Sequence, residues 1–165
     1  MAIRPILHYP HPTLKIDSAA VIPDDPATQA VAQDLLDTLD ASPGVALAAP
    51  QIGHAVRVIV VDVSRKKGEK GHGLIVMVNP VILALEGRKI LREGCLSVPD
   101  YTGNVLRYDQ AVVEGLTLDG RVVTLTTSGV EALALQHEVD HLNGLLFLDR
   151  IQSLSTDLFR RKTSS

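Results

Sequence analysis

The segment His137-Glu138-Val139-Asp140-His141 sets two imidazoles four residues apart. On a helix, side chains at that spacing share one face, so both rings can reach a single ion. Glu138 directly follows the first ring. A carboxylate placed there can take a proton from an activated water and pass it to a leaving group. The helical face leading to His137 is apolar, with Ala134, Leu133 and Val130 three, four and seven residues before it. Such a face suits the floor of a pocket better than a solvated surface. Two nitrogens leave a catalytic metal short of a ligand, because such sites usually combine three protein ligands with one open position. Cys95, in Glu93-Gly94-Cys95-Leu96-Ser97, is the candidate third ligand. A lone cysteine beside glycine also suits a small buried hydrophobe. The unpartnered histidine pair, and the close backbone approach that Gly94 permits, favour the ligand reading. No His or Glu follows His141 at the short spacing of the common zinc proteases, and Asp149 lies beyond a glycine stop.

These residues need a helix and a set of strands to hold them. Ser128, with Glu131 three residues on, has the pattern of a capping box opening a helix through Leu142. Asn143-Gly144 would end it. An earlier helix opens at Asp25-Pro26, presents Val31, Leu35 and Leu39, and stops at Ser42-Pro43-Gly44. Gly44–Gly53 is rich in small residues and predicts a tight loop or short strand where backbone approaches something closely. Strands are expected over Val56–Val63, Leu74–Val78, Ala111–Leu118 and Arg121–Thr126, the last two joined at Asp119-Gly120, and Arg88–Leu91 leads into the EGCLSVPD segment. Residues 1–24 form an irregular extended arm, and a short helix over about Ser153–Arg161 closes the chain. The order helix, strands, helix predicts one α+β domain over residues 1–165, with mostly antiparallel sheet.

Bulk composition excludes several functions. Aromatic residues make up 3 % and Trp is absent, so the stacking surface of a single-stranded nucleic-acid binder is missing. A net charge of −3 lacks the basic footprint of a phosphate-backbone binder. The cluster Arg65-Lys66-Lys67 precedes Gly68 and predicts a solvated hairpin tip. The longest apolar stretch, Leu74 to Leu85, is too short for a bilayer and contains Asn79 and Pro80. The opening residues carry no secretory signal, and one cysteine allows no internal disulfide. A reducing cytoplasm is the expected setting.

Three segments together resemble the peptide deformylase family, whose members remove the formyl group from the N-terminal formylmethionine of new bacterial and organellar proteins. They are GVALAAPQ (Gly44–Gln51), EGCLSVP (Glu93–Pro99) and QHEVDHLNG (Gln136–Gly144). LHYPHPTLK and GLLFLD fit the family's layout as well, so the resemblance spans nearly the whole chain. It implies antiparallel sheets around a central helix that carries the histidines. It also implies Cys95, His137 and His141 as metal ligands and Glu138 as general acid/base. Gln51, through its side chain, and Leu96, through its backbone N–H, would stabilise the developing oxyanion. Val45, Leu91, Val130, Leu133 and Ala134 would line the methionine pocket, with Gly44, Ala46 and Gly94 beside the substrate backbone. The implied metal is Fe(II), with Zn, Ni or Co able to occupy the site, and the implied partner is the formylated nascent chain.

The chain departs from the family pattern in three places. Ala46 stands where Gly is usual, and its methyl is expected to restrict φ and crowd the substrate. Pro43 and Thr102 stand where many members carry an acidic residue and an Arg, so an ion pair is lost without leaving an orphan charge. Only Arg160-Arg161-Lys162 remains of the basic extension that docks many bacterial members on the ribosome. Two rival readings stay open at this level. A zinc peptidase would explain the histidine helix but leave Cys95 and Gln51 unused. A degenerate, non-catalytic member would need a fourth protein ligand to close the site.

Overall fold

A computed structural model describes residues 2–161. Helix α1 (Pro26–Asp40) starts where Asp25 accepts a hydrogen bond from the Ala27 N–H at 3.0 Å, with Pro26 at the first helical position. Its apolar stripe of Val31, Ala32, Leu35 and Leu39 is buried. Strand β1 (Ala46–Ala48) pairs antiparallel with β2 (Val58–Val61), and β2 pairs with the start of β3 (Ile75–Cys95). All four residues of β2 are buried because helices cover both its faces. Val58 and Val60 pack with α1, while Ile59 and Val61 pack with Leu135 and Val139 of helix α2 (Gly129–Leu142).

The remaining sheet is a long hairpin. Strand β3 pairs with β4 (Val98–Leu116) from Val78↔Leu116 to Cys95↔Val98, with three irregularities in register. Pro80 falls at one of them, where a missing N–H leaves the ladder intact. The sequence suggests separate short strands here. The structure instead runs β3 without interruption, because residues 81–90 are mostly exposed and show no alternation of buried and solvated positions. Strand β5 (Val122–Ser128) pairs with the C-terminal half of β4 across the expected Asp119-Gly120 turn. Gly120 takes φ +85° there.

Helix α2 crosses this sheet. The Ser128 side chain makes no cap hydrogen bond, contrary to the expected capping box. Glu131 turns instead to the His72 N–H, 2.6 Å away, and to the Thr127 hydroxyl, 2.8 Å away. The other end follows the sequence signal. Gly144 adopts φ +75°, and a Cβ there would stand 2.7 Å from the Lys15 carbonyl oxygen.

The expected C-terminal helix is a single turn, α3 (Leu154–Asp157), followed by strand β6 (Leu158–Arg160) on the β4 residues Tyr101–Gly103. Tertiary partners decide this. Leu158 joins the cluster around Phe147, and the Phe159 ring lies 3.7 Å beneath the Arg92 guanidinium. Lys162 lies outside the described residues. No described helix is long and apolar enough to cross a membrane.

Candidate metal centre and substrate cleft

Three elements meet at one point. Helix α2 brings His137, Glu138 and His141. The tip of the β3–β4 hairpin brings Cys95 and Leu96, and the 3-10 turn Ala49–Ile52 after β1 brings Gln51. Cys95 Sγ lies 3.3 Å from His141 Nε2, which lies 3.2 Å from His137 Nε2. Among the described residues, these three donors form the group able to hold a metal, all within 4.8 Å of one another.

The surroundings suit a cation. The Glu93 carboxylate engages His137 Nδ1, which leaves Nε2 to face the other donors. Burial, then the charges of His137 and Arg107, push the His141 pKa well below its ordinary value, so this ring is neutral and its lone pair free. Burial opposes a charged His137, yet Cys95 and Glu93 hold its pKa well above the ordinary value. Positive charge is thus favoured on His137 and disfavoured on His141. One thiol and two imidazoles suit Zn or a comparable first-row ion.

Glu138 is buried, and its Oε1 has no hydrogen-bond partner in the protein. Burial pushes its pKa up to about 7, with the charges of His137 and Arg107 working against the shift and Glu93 with it. Gln51 is fixed at both ends of its amide. Its Oε1 accepts from the Ala48 N–H at 3.0 Å, and its Nε2 donates to Ser97 Oγ at 3.1 Å and faces Cys95 Sγ at 3.7 Å.

These groups open into a cavity of about 590 Å³. Its wall includes Gly44, Val45, Ala46, Gln51, Leu91, Gly94, Cys95, Leu96, Val130, Leu133, Ala134, His137 and Glu138, so of the residues singled out from sequence His141 alone is off the wall, buried. Gly44 packs closely on Leu96, where a Cβ would stand 2.8 Å from Cδ1 and make the leucine side chain shift. Ala46 is not restricted as expected. It is an ordinary strand residue paired with Val61, and among described non-glycine residues only Asn79 has a positive φ.

Several residues on or around the wall were not anticipated. Arg107, only 3 % exposed, donates to Glu93 at 2.9 and 3.0 Å and to Asp140 at 2.6 Å. Arg150 also engages Asp140. Burial pushes the Glu93 pKa up, but the hydrogen bonds and charges of His137 and Arg107 outweigh it and bring it down to about 2. Glu93 and Asp140 lie inside the recognised motifs, whereas the partner Arg107 lies on another strand and no spacing reveals it. Lys66 lies in the exposed connection between β2 and β3, as expected for a solvated tip, yet it lines the cavity together with Arg92 and Arg161.

Residues 3–157 match the family described as Polypeptide deformylase. The chain belongs to that family. A peptide deformylase of Syntrophobacter fumaroxidans is 44 % identical over 162 residues, covering 98 % of this chain and 94 % of that one. A second, from Thermodesulfovibrio yellowstonii, is 39 % identical, covering 98 % and 97 %. The crystal structure of a peptide deformylase from Legionella pneumophila superposes with TM-score 0.84 at 40 % identity, over 93 % of this chain and 88 % of that one. A class I type b peptide deformylase from Acinetobacter baumannii, crystallised with Met-Ala-Ser, gives TM-score 0.83 at 35 % identity, over 91 % and 99 %. Deformylases are metal-dependent hydrolases, and Cys95, His137 and His141 are the group available to hold a metal here.

Proposed function

We propose that this chain removes the formyl group from the N-terminal formylmethionine of newly made polypeptides, with residues 1–165 acting as one catalytic domain and Cys95, His137 and His141 holding one divalent ion. The observation that carries the residue assignment is the meeting of three metal-type donors, the Glu138 carboxylate and the Gln51 amide beside one cavity. Val45, Leu91, Leu96, Val130, Leu133 and Ala134 supply an apolar stretch of the same wall. Fe(II) is the metal we favour because the family resemblance implies it, and the mixed sulfur and nitrogen donors would also accept Zn, Ni or Co.

When bound, the ion supplies Lewis-acid chemistry that makes water a competent nucleophile near neutral pH. Glu138 accepts the proton that water loses on attacking the formyl carbon. The Gln51 side-chain amide and the Leu96 N–H donate to the oxyanion that develops on the formyl oxygen. Glu138 then delivers its proton to the leaving amine nitrogen, and formate departs. Val45, Leu91, Val130, Leu133 and Ala134 take up the methionine side chain and exclude water, while Gly44, Ala46 and Gly94 border the peptide backbone.

The substrate, a new polypeptide, places the protein in the cytoplasm on this reading. Ribosome contact is not part of the proposal, because Arg160 belongs to β6 and Arg161 follows it directly, with no extended basic helix among the described residues. Nucleic acid and membrane are likewise left out as partners. A zinc peptidase would leave Cys95 and the Gln51 loop without a task, and a purely structural metal would call for a fourth protein ligand, absent from the described group.

Anaerobically purified protein incubated with a formyl-Met tetrapeptide separates the readings. Mass spectrometry is expected to show loss of the formyl group alone, with the peptide chain intact. Internal cleavage, or an unchanged peptide, would overturn the proposal.

A further inference from the structure

The residue that follows strand β6 carries a charge into the cleft. The Arg161 N–H donates to the Asp100 carbonyl at 2.7 Å, and the side chain turns back over Gly94. A Cβ placed on Gly94 would stand 2.5 Å from Arg161 Nη2 and 3.4 Å from Thr102 Cγ2. The Thr102 side chain and the Arg161 guanidinium therefore share this corner of the cleft. Lys66 lines the same cavity from the connection after β2. Both cations belong to exposed residues. Among the described residues neither forms an ion pair, and the carboxylates on the wall are accounted for. Glu93 is engaged by Arg107 and His137, and Glu138 is buried. Arg92, the other cation on the outer wall, stacks on Phe159 and so anchors β6 itself. A chain of net charge −3 thus keeps unpaired positive charge around its substrate cavity. Positive groups beside an apolar wall raise the local potential felt by an anionic ligand.

We infer that Arg161, assisted by Lys66, selects peptides with a carboxylate side chain at one of the two residues after the formylmethionine. The inference rests on the deformylation reading and adds the class of sequence preferred. The apolar wall takes the first side chain, and the reacting group lies by Cys95. Gly94 is the next residue in the chain, so the guanidinium over it stands close to the reacting end. An extended peptide advances about 3.5 Å per residue, which brings the following one or two side chains into range. A guanidinium presents paired N–H donors that match a carboxylate, which a lysine or an amide does not do equally well.

The test uses metal-loaded protein and two peptide series, formyl-Met-Xaa-Ala-amide and formyl-Met-Ala-Xaa-amide, with Xaa as Asp, Ala or Lys. The amide terminus removes the competing α-carboxylate. For wild type, kcat/KM for Asp over Lys is expected to be about threefold to tenfold at low ionic strength in at least one series, shrinking as salt is added. Arg161→Gln should bring the ratio close to one, Arg161→Glu should invert it, and Arg161→Lys should restore part of it. The Ala peptides should change little across these variants. Equal ratios in wild type and Arg161→Gln would overturn the inference, and so would a uniform loss for all peptides, which marks a merely structural arginine. Absence of formate from the Ala peptides with wild type would instead refute deformylation. The charge preference is then still read from the Kd values of Met-Asp-Ala-amide against Met-Lys-Ala-amide and of Met-Ala-Asp-amide against Met-Ala-Lys-amide, and equality within both pairs would refute it independently.

Discussion

At Glu138, burial and neighbouring charge pull in opposite directions, and the balance leaves a carboxyl that titrates at about 7. A group near neutrality both accepts and releases a proton readily, which is what the two halves of amide hydrolysis require. Glu138→Ala is expected to retain its metal while kcat falls by roughly three orders of magnitude, because water activation and leaving-group protonation are lost together. Metal content and single-substrate kinetics check this, and near-parental turnover would remove Glu138 from the mechanism. At this scale the sequence reveals whatever is local. His137 and His141 share one helical face, and Cys95 and Gln51 lie in short recognisable segments. The support behind them is not local. Glu93, Arg107, Asp140 and Arg150 come from two strands, a helix and a 3-10 turn, and only the fold brings them into contact.

The element that matters most is α2, whose ends are held in different ways. At its start Glu131 leaves the capping role and holds the 71–72 segment. Burial works against its charge, but the His72 N–H, the His72 ring and the Thr127 hydroxyl outweigh it and lower the pKa below the ordinary 4.5. A lowered folded-state value means that the stabilisation is complete above about pH 4.5 and disappears as pH falls further. Glu131→Gln should therefore lower Tm at neutral pH and lose less than wild type on acidification. Parallel acid limbs in the two proteins would contradict that assignment. At the other end, Gly144→Ala would force a methyl group against the Lys15 backbone at positive φ, with an expected cost above about 1 kcal/mol. Urea unfolding measures it, and an unchanged midpoint would show that this end is free to move. Strand β2 was legible because its four apolar residues match burial on both faces. Strands β3 and β6 were not. The exposed stretch of β3 lacks a period-2 pattern, and β6 becomes a strand only by pairing with Tyr101–Gly103.

At the scale of the molecule, the sheet and α2 form a frame that brings together groups far apart in the chain. Cys95 and His141 are 46 residues apart yet 3.3 Å from contact to contact atom. Such a cluster exists only in the folded protein, so an ion bound there stabilises the native state over the unfolded one. The apolar wall, the Glu138 carboxylate and the cationic residues of the cleft all take their positions from the same frame, and the proposed hydrolysis needs an ion where the three donors meet. X-ray absorption on anaerobically purified, metal-quantified protein tests this most directly. One divalent ion per chain is expected, with one sulfur and two imidazole nitrogens among its ligands and the sulfur lost in Cys95→Ala. A shell of nitrogen and oxygen alone, or full hydrolytic activity in protein free of metal, would contradict it.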